Sequence, residues 1–230
     1  VAQYTNNGIG CAWMSYGACV MPIKVLSDTG SGTFADIADG IYWAVDNGAQ
    51  VINMSLGAYG ATSISYMDDA LDYAHSNNVT VVAAAGNDSS TAQVSYPAIY
   101  PSTIAVGATD SQNAVASYSN KGIGLDVVAP GSGVVQETLS GSSWGYYSYN
   151  GTSMATPHVA DTSAMLIAYG TATTPDEVYT ALTATALDLG ATGYDSTSGH
   201  GLIQAYDALN YQGGSVCTDN DNDGVCVEDG

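Results

Sequence analysis

Arginine is absent from this 230-residue sequence, and Lys24 and Lys121 are its only lysines, against 22 acidic residues. The formal charge of −20 repels phosphate backbones, which argues against nucleic acid as a partner. Long apolar runs are also lacking. The longest, Val79–Ala85, is far too short to cross a bilayer, so no membrane segment is expected. No starting methionine or targeting motif is present, and the opening at Val1 reads as a processed chain or a fragment. Cysteine is scarce: the four residues fall into two close pairs, Cys11/Cys19 and Cys217/Cys226. Neither pair has the CxxC spacing of a zinc or redox site, and no histidine stands nearby. Disulfides in an oxidising compartment are therefore expected, with free buried thiols as the alternative.

What is present is a globular composition with 46% apolar residues, enough for one domain and a tail. The acidic surface is open to three readings: a halophilic or marine setting, an affinity for calcium, or plain solubility. The abundance of Gly, Ser, Asn and Thr also suits a flexible, cold-adapted secreted enzyme.

Strand and helix signals alternate along the middle of the chain. Val20–Leu26, Val51–Ser55, Val79–Ala85, Ile104–Ala108 and Leu125–Ala129 read as short, apolar strands. Phe34, Ile37, Ile41 and Ala44 recur at helical spacing up to Asn47-Gly48, and Met67, Leu71 and Ala74 mark a second helix. Thr152–Tyr169 reads as a buried helix and Pro175–Thr185 as a surface helix. Apolar strands separated by amphipathic helices predict an α/β fold: a mainly parallel sheet covered on both faces. Ligands of such sheets bind beyond the carboxyl ends of the strands, which here carry the loops after Leu26, Ser55 and Ala85. Gly213-Gly214-Ser215 reads as a linker, dividing a domain at 1–212 from an acidic segment at 213–230.

Asn150–Ala160, NGTSMATPHVA, carries the strongest chemical signal. A serine among small residues at a helix start suits a nucleophile: Gly151 lets a carbonyl approach, and the helix N-terminus favours a developing oxyanion. A lone GTS at a helix start is more often only a cap. The whole string, however, resembles the active-serine signature of the subtilisin family of serine peptidases (subtilases). VINMSLG (Val51–Gly57), VVAAAGN (Val81–Asn87), SYPAIYPSTIAVGA (Ser95–Ala108) and GLIQA (Gly201–Ala205) resemble further family segments in the family's order.

The resemblance implies a three-layer subtilisin-like fold and a serine endopeptidase acting on proteins or peptides. It makes Ser153 the nucleophile and Asn87 the side-chain donor to the oxyanion. Gly30, Ser31 and Gly32 with Ser55, Leu56 and Gly57 would clamp an extended peptide by main-chain pairing. Ala84, Ala85 and Gly86 would wall the pocket for the residue before the cleaved bond, with Ser95 at its base. A small neutral base predicts a preference for large apolar or aromatic side chains. Both the triad's Asp and His are expected upstream of Val1, since the family takes its base from an HGTHVAG-like segment that has no counterpart here. His158 lies on the nucleophile's own helix, turned about 140° away, while His75 and His200 read as exposed bystanders. A catalytically silent peptide-binding module is the alternative. Asp161 stands where the family has Gly; an acidic side chain buried there without a partner is costly, and it is open to three readings: reaching solvent, reaching a neighbouring amide, or marking relaxed selection in a non-catalytic copy.

Two calcium sites are expected. Thr5, Asn7, Ile9 and Cys11 resemble the ligands of the family's tight calcium loop, the alternative being an ordinary Asn-Gly turn. Asp219, Asp221 and Asp223 alternate carboxylates ahead of Gly224, as hard-cation repeats do, the alternative being a solvated tail. A secreted monomer with structural calcium and no organic cofactor is the combined expectation.

Overall fold

The computed structural model describes residues 8, 10–12, 14, 15, 17–141 and 143–213. Four strands, β1 (Val51–Met54), β2 (Thr80–Ala84), β3 (Thr103–Thr109) and β4 (Val127–Pro130), pair in sequence order. All three pairings are parallel, with Val82 opposite Ile104 and Val106 opposite Val127. Every residue of β2 and β3 is buried, which is why these strands are apolar throughout instead of alternating.

Helices cover both faces. Val81, Ala83 and Ala85 enter the core under α1 (Phe34–Asp46) and α2 (Ser65–Ser76). Val82 turns to the opposite core, shared with α3 (Thr152–Tyr169) and α4 (Pro175–Ala184). This is the three-layer α/β arrangement expected from the sequence. Local signals agree with it: Thr33 Oγ1 accepts the Asp36 amide at 3.1 Å to cap α1. Thr174 and Glu177 form a reciprocal capping box at α4. Met67, Ala70, Leu71 and Ala74 of α2 are wholly buried, as their spacing requires.

Three features differ from the sequence expectation. Val20–Leu26 runs outside any strand, and Val20 is 56% exposed. Val25 and Leu26 still pack on the core, but an apolar run becomes a strand only where a neighbour completes the ladder. An unexpected antiparallel ribbon, β5 (Val134–Ser140) with β6 (Ser143–Tyr149), stands apart from the main sheet, and a short α5 (Ala205–Leu209) closes the fold. Cys11 and Cys19 are free thiols, so the disulfide expected there is not formed in this structure, and Cys19 is exposed. Cys217, Cys226, Asp219, Asp221 and Asp223 lie outside the described residues, as do Thr5, Asn7 and Ile9. Among the described residues no helix is long and apolar enough to cross a membrane.

Candidate active site

The loops leaving the carboxyl ends of β1, β2 and β4 meet the N-terminus of α3. Gly131, just after β4, accepts the Gly151 amide at 2.9 Å and itself donates to Thr109 at the end of β3. These bonds set the first turn of α3 against the sheet edge and bring Ser153 to the mouth of a cleft of about 320 Å³. Ser153 and Ser55 lock together reciprocally. Ser153 Oγ donates to the Ser55 carbonyl at 3.2 Å, and Ser55 Oγ donates to the Ser153 carbonyl at 2.9 Å.

Asn87 has its orientation fixed by Thr152. The Thr152 amide and hydroxyl both donate to Asn87 Oδ1, at 2.9 and 3.1 Å. Because both bonds require an acceptor, the NH₂ end must occupy the other branch. An added Cβ on Gly151 would stand 3.6 Å from Asn87 Nδ2 and 3.7 Å from its Oδ1, so glycine leaves the room beside this amide open, and Asn87 and Ser153 line the same cleft. Ser153, the second residue of α3, has an amide with no carbonyl four residues back inside the helix. A side-chain amide and a helix N-terminus therefore converge beside a serine hydroxyl, an arrangement able to stabilise an oxyanion.

Beyond them, Leu56, Gly57, Ala84 and Gly86 line the cleft, with Ser95 at its base. Ala85 is wholly buried, and its carbonyl accepts the Ser95 amide at 2.7 Å, which ties wall to base. Gly86 has φ of 101°, and a Cβ there would approach Ser95 Oγ to 2.3 Å, so glycine is required. Asp88 is the one charged residue in the lining.

Asn120 organises this wall, although nothing in the sequence singled it out. Wholly buried, it shares the two N–H groups of Nδ2 among the Ala85 carbonyl, Ser95 Oγ and Asp88 Oδ2, which lie 3.0–3.2 Å away. Its Oδ1 accepts the amides of Asp88 and Ser90. Gly30–Gly32 lies at the same sheet edge in the exposed turn before α1, outside the cleft lining.

None of the three histidines serves Ser153. His75 ends α2 at the opposite sheet edge and pairs with Asp176 at 3.1 Å. His158 Nδ1 meets the Met154 carbonyl at 2.9 Å on its own helix, and burial holds its pKa below the usual value. His200, expected to be exposed, instead packs half-buried between Tyr179 and Tyr194, again at the far edge. Asp161 is 1% exposed and takes a 2.7 Å bond from Ser15 Oγ, while among the described residues its Oδ2 has no partner. Among the described residues no three His, Cys, Asp or Glu side chains gather as a metal site.

A parallel α/β sheet with a helix-start serine and an oriented amide at its carboxyl edge defines a serine-hydrolase class of site. Residues 1–201 match the model of the subtilase family, Peptidase S8, and the chain belongs to that family of serine endopeptidases. It is 46% identical over 201 residues to subtilisin of Bacillus pumilus, spanning 86% of this chain and 70% of that protein. Subtilisin E of Bacillus subtilis is also 46% identical over 201 residues, but the chain spans only 51% of its length. Among solved structures, proteases from Pseudoalteromonas arctica PAMC 21717 are similar at a TM-score of 0.82 and 38% identity, over 89% of this chain and 66% of theirs.

Proposed function

We propose that this domain is the catalytic core of a secreted, calcium-stabilised endopeptidase that cleaves extended polypeptides through an acyl-enzyme on Ser153. The observation that carries the reading is the doubly anchored Asn87 carboxamide, its oxygen held by Thr152 so that its NH₂ end takes the other branch, in the cleft that Ser153 also lines. Ser153 Oγ attacks the scissile carbonyl carbon and releases its proton to a general base. The carbonyl oxygen becomes an oxyanion, held by Asn87 Nδ2–H and the Ser153 amide. Collapse expels the amine, which takes the proton back from the base, and water then releases the acyl group by the reverse sequence. His75, His158 and His200 are all engaged elsewhere, so this reading takes the base to be the family's histidine, expected upstream of Val1.

Specificity follows from the cleft. Small walls and the neutral Ser95 base favour large apolar side chains before the cleaved bond, while Asp88 offers a secondary attraction for a cation at the mouth. Substrates are proteins or peptides, taken up by a monomer that engages neither nucleic acid nor membrane. Support for secretion comes from relatives such as the extracellular protease of Xanthomonas campestris, 48% identical over 201 residues. Calcium would be held by Thr5, Asn7, Ile9 and Cys11; in that loop Gly8 and Gly10 have φ of 72° and 75°, the left-handed backbone of a tight winding. It would supply structural cross-linking through hard oxygen donors, with no part in the chemistry. Peptide hydrolysis by the longer protein carrying this domain tests the reading: Ser153→Ala should abolish it. Hydrolysis indifferent to that change would overturn the mechanism, and a folded but inactive wild type would favour a silent peptide-binding module.

A further inference from the structure

We infer that Tyr59 is an aromatic lid on the pocket beside Ser153 and selects aromatic side chains ahead of the cleaved bond. The inference rests on the reading of this cleft as a peptidase site. Tyr59 follows β1 on the loop that carries Ser55–Gly57, and it lines the cleft while remaining 50% exposed. Large aromatic rings exposed at a cleft and yet held in place are well suited to contact a ligand at low entropic cost.

Both ends of the lid are anchored. Ala58 pairs antiparallel with Tyr96: its amide donates to the Tyr96 carbonyl at 2.8 Å, and the Tyr96 amide donates back at 3.1 Å. Tyr96 is wholly buried, and its hydroxyl donates to Asp68 at 2.7 Å. The backbone beside Tyr59 is therefore tied to the core. At the other end, the Tyr59 hydroxyl lies 3.1 Å from Ser90 Oγ on the loop after β2. Ser90 is fixed in turn, because its amide donates to buried Asn120 at 3.0 Å and its Oγ accepts the Ala92 amide at 3.2 Å.

This side-chain bond adds to the Ala58–Tyr96 pairing in joining the loop after β1 to the loop after β2, beside the pocket that Tyr59 lines. With the hydroxyl engaged, the ring itself is what Tyr59 presents to the cleft. The opposing surfaces, Leu56, Ala84 and Gly86, are small or apolar, so a flat aromatic side chain entering between them gains ring–ring contact. A short aliphatic side chain fills the same floor without reaching the lid.

The test compares otherwise identical tetrapeptide amides ending in Phe, Leu or Ala before the cleaved bond, hydrolysed by the longer protein. In parallel, binding of the matching acetylated tetrapeptide acids to the 230-residue chain is measured by calorimetry, which needs no catalysis. Tyr59→Ala should lower the Phe-to-Ala ratio of kcat/KM, and of affinity, about tenfold. Tyr59→Phe and Ser90→Ala keep the ring but lose the bridge, and each should lower it about two- to threefold. A ratio unchanged within about twofold in Tyr59→Ala overturns the lid, as does an equal loss for all three peptides, which marks a structural role. Failure of Ser153-dependent hydrolysis sinks the peptidase reading separately, and the binding ratios then still decide the lid.

Discussion

Asp126 gives the most quantitative forecast. It immediately precedes β4, where Oδ2 accepts the Ala105 amide at 2.8 Å and Oδ1 accepts the Tyr179 hydroxyl at 3.3 Å. Burial nevertheless dominates these bonds and pushes its pKa up from 3.8 to about 6. Because the folded protein holds this proton more tightly than the unfolded chain, its stabilising contribution is present at low pH and is lost as pH rises through about 6. The full span is about 3 kcal/mol, and about 2 kcal/mol of it falls between pH 4.5 and 7. His158 and His200 act with the opposite sign: burial lowers both pKa values, so their contribution is lost as pH falls below the unfolded value. A raw pH profile mixes these effects, but Asp126→Asn isolates one of them. Asn keeps an acceptor for Ala105 and carries no charge to bury. Urea unfolding at pH 4.5, 5.5 and 7 should show the variant gaining about 2 kcal/mol on the wild type across that range. A constant difference at all three pH values would refute the reasoning.

Asn87→Ala should lower turnover of the longer protein by about 10² to 10³ with little change in KM, the magnitude known from removing the equivalent donor in subtilisin itself. Steady-state kinetics check it, and a purely KM effect would move Asn87 out of the oxyanion site. Calcium should raise the melting temperature, since a ligand that binds only the folded state stabilises it by mass action. Melting with and without a chelator measures this, and identical curves would rule out the calcium loop.

The parts of the fold readable from the sequence are those whose burial is complete. Val79–Ala85 is apolar without interruption because β2 is covered on both faces, so its pattern states its environment. Val20–Leu26 has a similar pattern, yet it forms no strand, because pairing depends on a neighbour that local sequence does not encode. The β5–β6 ribbon hides for the opposite reason. With Leu139 at 47% and Trp144 at 74% exposed, neither strand carries a clean apolar face for alternation to mark. Ser153, Asn87 and Ser95 stand out through contiguous strings, whereas Asn120 and Tyr59 act through partners about 30 residues away and leave no local signal.

Asp161 marks the boundary between what local pattern carries and what only the fold supplies. Its place inside a buried helix requires that the carboxylate find a partner. The partner is the hydroxyl of Ser15, 146 residues away in sequence, which no spacing rule connects to it. One hydroxyl proton satisfies one oxygen, and among the described residues Oδ2 has no bond. An unsatisfied buried acceptor costs about 1 to 3 kcal/mol, the same range that one hydrogen bond to a charged group returns. Asp161 thus sits two turns from the nucleophile with one oxygen tied by a distant loop. The first turn of α3 has ties of its own, to Gly131, Asn87 and Ser55, which also join residues far apart in sequence.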